Sequence, residues 1–495
     1  MHQKLTDLLQ SFSSAQWRGL EKFLLSPYFN ENEQVAALFQ WLRQSLTGNP
    51  APDLKPEAAF AHLFPGQVYQ KQAVDRLSSQ LFKYAEQFLA VERFTADEFA
   101  QDLQLLEYYQ ESLQDRLFQA KLRQLNKLQE GRTVRDIQFL RRQSAIEQAL
   151  ASWSGQRDQR TGDINLQRLN EWQDRLFLAE KLRLLNHMIG RSKVVQLDYE
   201  LTWLEALLEN LSQQDLEQWP LLDLYSAELM LQKTPSDRSL YTALKSKTEA
   251  YAGKIPDEEL RGAFAILENS AKKSFRLDDY LQELFDLYTR QLDLGLFFSN
   301  GNIHHTVFHN IVALALNLGR YNWAESFLEE NRRKVMPLEM TEAFYLQNKA
   351  EAEYHRGNYG KALELLQQAN PDDIYYKLKQ KSLLAVIYYE LREWDALDHF
   401  LNSFSKFIFD QQRKIAADKV ASYRLFLNAV RKLFRLATGS PETMEALQKR
   451  RPVRDRRVLQ ALSEWQTELT EAAVFYGKKW LLEKLAELTP QDVPE

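Results

Sequence analysis

The sequence predicts an all-α fold, and three observations carry that prediction. Glycine and proline are scarce, with 16 Gly and 14 Pro in 495 residues. Proline is absent between residues 66 and 219. A helix interior rejects proline at about 3 kcal/mol, so so long a stretch without it indicates long helices joined by short connections. The rest of the chain is dominated by Leu, Gln, Glu, Ala, Lys and Arg, and no run rich in Val, Ile and Thr alternates with period two.

The helices can be placed in order. Ser13-Ser14-Ala15-Gln16 has the spacing of a capping box, just ahead of Trp17, Leu20, Phe23 and Leu24. Asn30 to Glu33 offers a second start, ahead of Val35, Leu38, Phe39 and Leu42. Spacings of three and four put one apolar stripe on each helix, and Pro27 between them predicts a hairpin. Residues 47–52 read as a loop. A long helix over about 68–94 follows, and Thr95-Ala96-Asp97-Glu98 caps the next. The polar, Gly-containing residues 154–163 suggest a boundary. Pro220, Pro235, Pro256, Pro337 and Pro371 then punctuate the second half, and residues 221–295 read as paired helices. The expected organisation is an N-terminal helical region over 1–153, helical hairpins over 164–300, repeats over 302–409 and a C-terminal helical region over 410–495.

The repeats are visible as three segments aligned on a small residue. They are Leu318-Gly319-Arg320-Tyr321-Asn322-Trp323-Ala324, Arg356-Gly357-Asn358-Tyr359-Gly360-Lys361-Ala362 and Leu391-Arg392-Glu393-Trp394-Asp395-Ala396. In each, a turn residue ends one helix, an aromatic residue packs between the pair, and Ala lets two helices approach. Phe308, Ile311, Val312 and Ala315 supply the stripe of the first helix, and Leu383, Leu384 and Ile387 that of the third hairpin's first helix. This pattern resembles tetratricopeptide repeats, and the resemblance implies helix–turn–helix units stacked into a solenoid over about 302–409. It departs from that pattern in three places: Lys349 and Glu353 at apolar positions, Leu391 for the turn glycine, and extra residues around Met336-Pro337. A generic array of αα-hairpins is the alternative. The chain also resembles a family of large bacterial proteins, through Phe23-Leu24-Leu25-Ser26-Pro27-Tyr28-Phe29-Asn30 and Phe308-His309-Asn310-Ile311-Val312 leading into Trp323-Ala324-Glu325. No activity is assigned to that family, so the resemblance implies a helical fold and no mechanism.

Chemistry is sparse. The absence of cysteine excludes thiol nucleophiles, disulfides and Cys-ligated metal. No phosphate-binding loop, dinucleotide fingerprint, G-x-S-x-G or H-E-x-x-H is present. His304, His305 and His309 cluster, and His305 and His309 share a helix face, but no acid lies nearby in sequence, so no metal site is expected. Asp278-Asp279 and Asp372-Asp373 sit at helix starts, where carboxylates oppose the positive end of the helix dipole. No catalytic residue and no cofactor is expected, and the protein reads as non-enzymatic.

Net charge is −5, from 63 basic and 68 acidic side chains, which gives no global pull toward nucleic acid or anionic lipid. Two local exceptions are residues 121–142 and 449–457, whose basic clusters suit phosphate contacts; a nucleic-acid-binding helical protein is therefore the alternative function. The longest apolar run, Leu383 to Tyr389, is far below the about 20 residues that a spanning helix needs. With no basic start and apolar core at the N-terminus, a cytoplasmic location away from membranes is expected. The leading reading is a scaffold that binds a peptide or partner protein along the first helices of the repeats. Phe344, Gln347, Glu351, Lys381, Tyr388 and Tyr389 are the expected contact residues, a mixed aromatic and polar set suited to recognition.

Overall fold

A computed structural model describes residues 3–47, 54–157, 164–212, 216–439, 456–471 and 475–488. The fold is all-α. Strand among the described residues is limited to β1 (Phe298–Ser299), β2 (Asn302–His304) and β3 (Val335–Met336). The chain forms two compact units, Met1–Tyr225 with Gly253–Pro256, and Ser226–Ala252 with Asp257–Glu495.

In the first unit, α1 (Gln3–Gln10), α2 (Ser14–Leu25), α3 (Glu33–Thr47) and α4 (Pro56–Leu63) all pack on the long α5 (Lys71–Ala96). The Ser13 capping box is complete: Gln16 N–H donates to Ser13 Oγ at 3.3 Å, and Ser13 N–H donates to Gln16 Oε1 at 2.9 Å. Asn32 caps α3, its Oδ1 accepting from Gln34 N–H at 3.0 Å. All eight apolar residues expected on α2 and α3 are buried in one cluster with Leu77, Leu81 and Phe88 of α5. Burying each large side chain stabilises this bundle by about 1.5–3 kcal/mol. Asp97 ends α5 and caps α6 (Glu98–Glu111) by accepting from Ala100 N–H at 3.2 Å. Then follow α7 (Asp115–Glu130), α8 (Ile137–Arg157), α9 (Leu166–Val195) and α10 (Leu204–Ser212). The break between α8 and α9 coincides with the polar residues 154–163, of which 158–163 lie outside the described residues.

The second unit contains most of α11 (Pro220–Lys233), then α12 (Arg238–Tyr251), α13 (Asp257–Ser274) and α14 (Leu277–Asp293), each packed on the next from α12 onward. Three helix pairs follow: α15 (His305–Asn317) with α16 (Tyr321–Asn331), α17 (Thr341–His355) with α18 (Tyr359–Gln368), and α19 (Ile374–Leu391) with α20 (Trp394–Gln411). The extra residues near Met336 form β3, which pairs in parallel with β2. The unit closes with α21 (Ala417–Thr438), α22 (Arg456–Glu471) and α23 (Lys478–Leu488).

The three pairs share one turn. Gly319, Gly357 and Arg392 have φ of 70°, 80° and 61°, the left-handed region. Past them, Arg320, Asn358 and Glu393 N–H donate back to the carbonyls of Ala315, Glu353 and Tyr388 at 2.8, 2.9 and 3.0 Å. This arrangement satisfies the last carbonyls of each first helix. Arg392 adopts the left-handed conformation in place of glycine, which a side chain tolerates at a cost of about 1–2 kcal/mol. The third turn is thus centred on Arg392 and not on Leu391. The alignment on Ala396 is one residue out: Leu397, fully buried, takes the place held by the buried Ala324 and Ala362.

The two charged residues at positions expected to be apolar, Lys349 and Glu353, are neutralised. Lys349 pairs with Glu325, and with Glu329 at 2.9 Å. Glu353 accepts from Asn358 Nδ2 and Lys361 Nζ, each at 2.7 Å. Burial pushes the Glu353 carboxyl up, but these donors outweigh it and hold the group below its usual value.

Candidate functional site

The first helices of the three pairs, α15, α17 and α19, pack side by side. Their shared seam carries most of the unusual polar chemistry. His304 caps α15, its Nδ1 accepting from Thr306 N–H at 3.3 Å. The His305 ring stacks on Phe344 at 4.6 Å and lies 5.1 Å from Tyr376. Tyr376 OH donates to His305 O at 3.0 Å, and Gln347 Nε2 donates to Tyr376 O at 3.2 Å. Phe344 and Gln347 are therefore buried ties between neighbouring helices.

His309 meets Asn348 of α17, Nδ1 to Oδ1, at 2.9 Å. The Asn348 amide nitrogen already donates to Phe344 O at 2.7 Å, so Asn348 Oδ1 is the acceptor and His309 Nδ1 bears the proton. Glu351, one turn along α17, places Oε2 3.6 Å from that nitrogen. Glu351 is the acid that sequence proximity did not provide. It acts electrostatically on His309, His355, Lys379, Tyr376, Tyr354 and Tyr476. Burial lowers the pKa of His309, His355 and Lys379, and the Glu351 charge opposes that shift in each. Burial lowers His305 as well, aided by His304. Among the described residues no three His, Asp or Glu side chains are grouped to hold a metal ion.

The other expected contact residues are dispersed. Lys381 lies with its ammonium 5.0 Å from the Phe407 ring centroid and 5.6 Å from that of Phe400. Tyr388 packs 5.4 Å from Phe400. Both face α20, the partner helix of the same hairpin. Tyr389 is buried, 5.4 Å from Trp394 and 5.3 Å from Trp480 of α23. Of the six residues, only Glu351 lies in the half-buried seam with His309 and Lys379. Sequence reading did not single out Lys379, His355, Glu390 or Trp480. The i, i+4 spacing of Glu351 and His355 was the available signal for His355.

Asp373 caps α19, accepting from Tyr375 and Tyr376 N–H at 2.9 Å, and Asp278 and Asp279 fall in the first turn of α14. In the basic stretch 121–142, Lys121 pairs with Asp102 at 2.6 Å, Arg141 with Glu180 at 2.7 Å and Arg142 with Asp97 at 3.2 Å. Those three charges are engaged within the fold. Of the stretch 449–457, residues 449–455 lie outside the described residues. No described helix is long and apolar enough to cross a membrane.

The chain matches no known protein-family description, no curated protein and no solved structure.

Proposed function

We propose that the protein is a non-enzymatic interaction scaffold whose three helix pairs form a tetratricopeptide-like solenoid, with the α15–α17–α19 seam receiving a peptide or partner protein. The observation that carries this reading is the common left-handed turn at Gly319, Gly357 and Arg392, which returns each chain segment in the same sense. Repetition of one turn stacks the first helices on one side, as in helical solenoids. Glu351, Lys379 and His309 supply the polar part of the recognition surface, with exposed His304 and Tyr375 at its margin. A surface of this kind fits a segment that offers both charge and hydrogen bonds.

The test is site-specific photo-crosslinking in the native cell. A crosslinker replacing Lys379 or His304 is expected to yield discrete protein adducts. The same group at exposed Gln367 of α18 serves as the outer-surface control. Equal adduct patterns at all three positions, or none at any, would overturn the inner-seam assignment.

A further inference from the structure

The helix pair α6 and α7 carries an exposed face of mixed chemistry. Residues 116–129 contain Arg116, Lys121, Arg123 and Lys127 and no Asp or Glu. Lys121 is engaged: Asp102 of α6 accepts from its Nζ at 2.6 Å, and from Gln124 Nε2 at 3.1 Å. These contacts mark the line along which α7 lies against α6. Leu117 stands one turn before Lys121, Leu128 one turn after Gln124, and Leu105 one turn after Asp102. All three leucines therefore border that line. They are 48%, 48% and 40% exposed, in that order.

Arg116, Arg123 and Lys127 follow one another at spacings of seven and four, which puts them on one face of α7 beside the leucines. All three are exposed, and they make no ion pair among the described residues. Arg123 and Lys127, one turn apart, repel each other, so the pair weakens the helix that bears it. The acids of α6 do not offset this charge. Glu107 and Glu111 are turned about 140° and 180° from Asp102 around the helix, and only Glu98, in the first turn, shares the side of Asp102.

We propose that the α6–α7 seam docks an acidic amphipathic helix of a partner protein. Its apolar side chains, repeating at three and four, cover Leu105, Leu117 and Leu128, and its carboxylates meet Arg116, Arg123 and Lys127. From Arg116 to Lys127 is about 16 Å of helix, which matches three turns of such a partner. Charge and leucines together select this occupant. A nucleic-acid strand would use the cations but leave the leucines in water, and Glu98 would repel its phosphates at one end. The surface lies in the first unit, so it goes beyond the α15–α17–α19 reading and does not rest on it.

The test uses the full chain and the fluorescence anisotropy of a labelled synthetic peptide. The peptide has about 20 residues, long enough to hold a helix, with leucine at spacings of three and four and glutamate on the adjoining face. Saturable binding to the wild-type chain is expected, and a matched peptide with lysine in place of glutamate should bind about tenfold more weakly or worse. Arg123→Glu with Lys127→Glu, and separately Leu117→Gln with Leu128→Gln, should each weaken binding by about tenfold or more. All four side chains are exposed, so both variants should keep the circular dichroism of the wild type. Raising the salt concentration gives a reading that needs no variant, because binding to the wild-type chain should fall. No binding to the wild-type chain, or binding that neither substitution pair nor salt changes, overturns the proposal. A single-stranded RNA that competes with the peptide, and whose binding needs the two cations but not the leucines, overturns it in favour of nucleic acid. A wild-type dimer in sedimentation that Arg123→Glu with Lys127→Glu makes monomeric overturns it in favour of a second copy. Because these substitutions lie in the first unit, failure here is independent of crosslinking at Lys379.

Discussion

Replacing Glu353 isolates the energetics of the turn between α17 and α18. The carboxylate is almost fully buried, with a side-chain exposure of 2%, yet its partner Lys361 is 57% exposed. Glu353→Ala removes an acceptor of two charge-assisted hydrogen bonds, one from Asn358 and one from Lys361, each 2.7 Å long. Because Lys361 and Asn358 both reach solvent, no buried charge is stranded. The cost should then be about 1.5–3 kcal/mol, the range for hydrogen bonds to charged groups, and below the about 3–5 kcal/mol of breaking a pair buried on both sides. Lys361 has Glu353 as its structural partner, so Lys361→Ala should change stability by less than ~0.5 kcal/mol once Glu353 is already alanine. The carboxyl is held below its usual value, so its contribution is present above the unfolded pKa of 4.5 and is lost as pH falls through the depressed folded value. The gap between wild type and Glu353→Ala should therefore close in strong acid. Native-state hydrogen exchange of α17 and α18 is the suitable assay, since a chain with two units has no single unfolding free energy. Additive costs for the two substitutions would refute the argument, because they would mean that Lys361 stabilises the fold through something other than Glu353.

Ala324 and Ala362 are both fully buried, so Ala324→Leu or Ala362→Leu should overpack its crossing and cost about 1–3 kcal/mol, read from urea midpoints; unchanged midpoints for both would place the crossings elsewhere. His305, His309 and His355 are each held below the ordinary value of 6.5 mainly by burial. Their neutral forms belong to the folded state, so stability should be complete above about pH 6.5 and decline as pH falls below it and the unfolded chain takes up more protons. Replacing His309 and His355 with Gln should flatten that decline between pH 7 and 5.5; an unaltered profile would show that other groups set it. Binding to heparin should be weak and lost at modest salt, and tight RNA or DNA binding at physiological salt that disappears when Arg456 and Arg457 become Gln would promote the nucleic-acid alternative.

The N-terminal bundle was readable because its signals are local. A capping box and two apolar stripes fix where α2 and α3 start and which faces they bury, and every one of those residues is buried as the spacing requires. The short strands were not readable, since two or three residues contain too little alternation to register against helical surroundings. Their pairing depends on β3 returning beside β2, a contact between residues about thirty positions apart in sequence.

The candidate site failed to appear in the sequence for a reason visible at Arg392. Glycine marks the first two turns by its chemistry, but the third turn forces a side chain into the same left-handed backbone, so aligning small residues slips it by one. A slip of one position rotates a helix by about 100°. That is enough to change which neighbour a side chain meets, and Lys381 and Tyr388, expected in the groove, meet α20. On α17, Glu351 lies half-buried beside His309, whereas Phe344 and Gln347 are consumed in tying α15 and α19 together. Aromatic residues at these helix positions satisfy packing and recognition equally well, and only the neighbouring helix decides between them. The charges are more informative than the aromatics. Glu351 acts electrostatically on His309, His355 and Lys379, which lie on three helices, and Glu390 accepts from Trp480, some ninety residues later, because a half-buried carboxylate is stabilised by whatever donors and cations the fold brings to it.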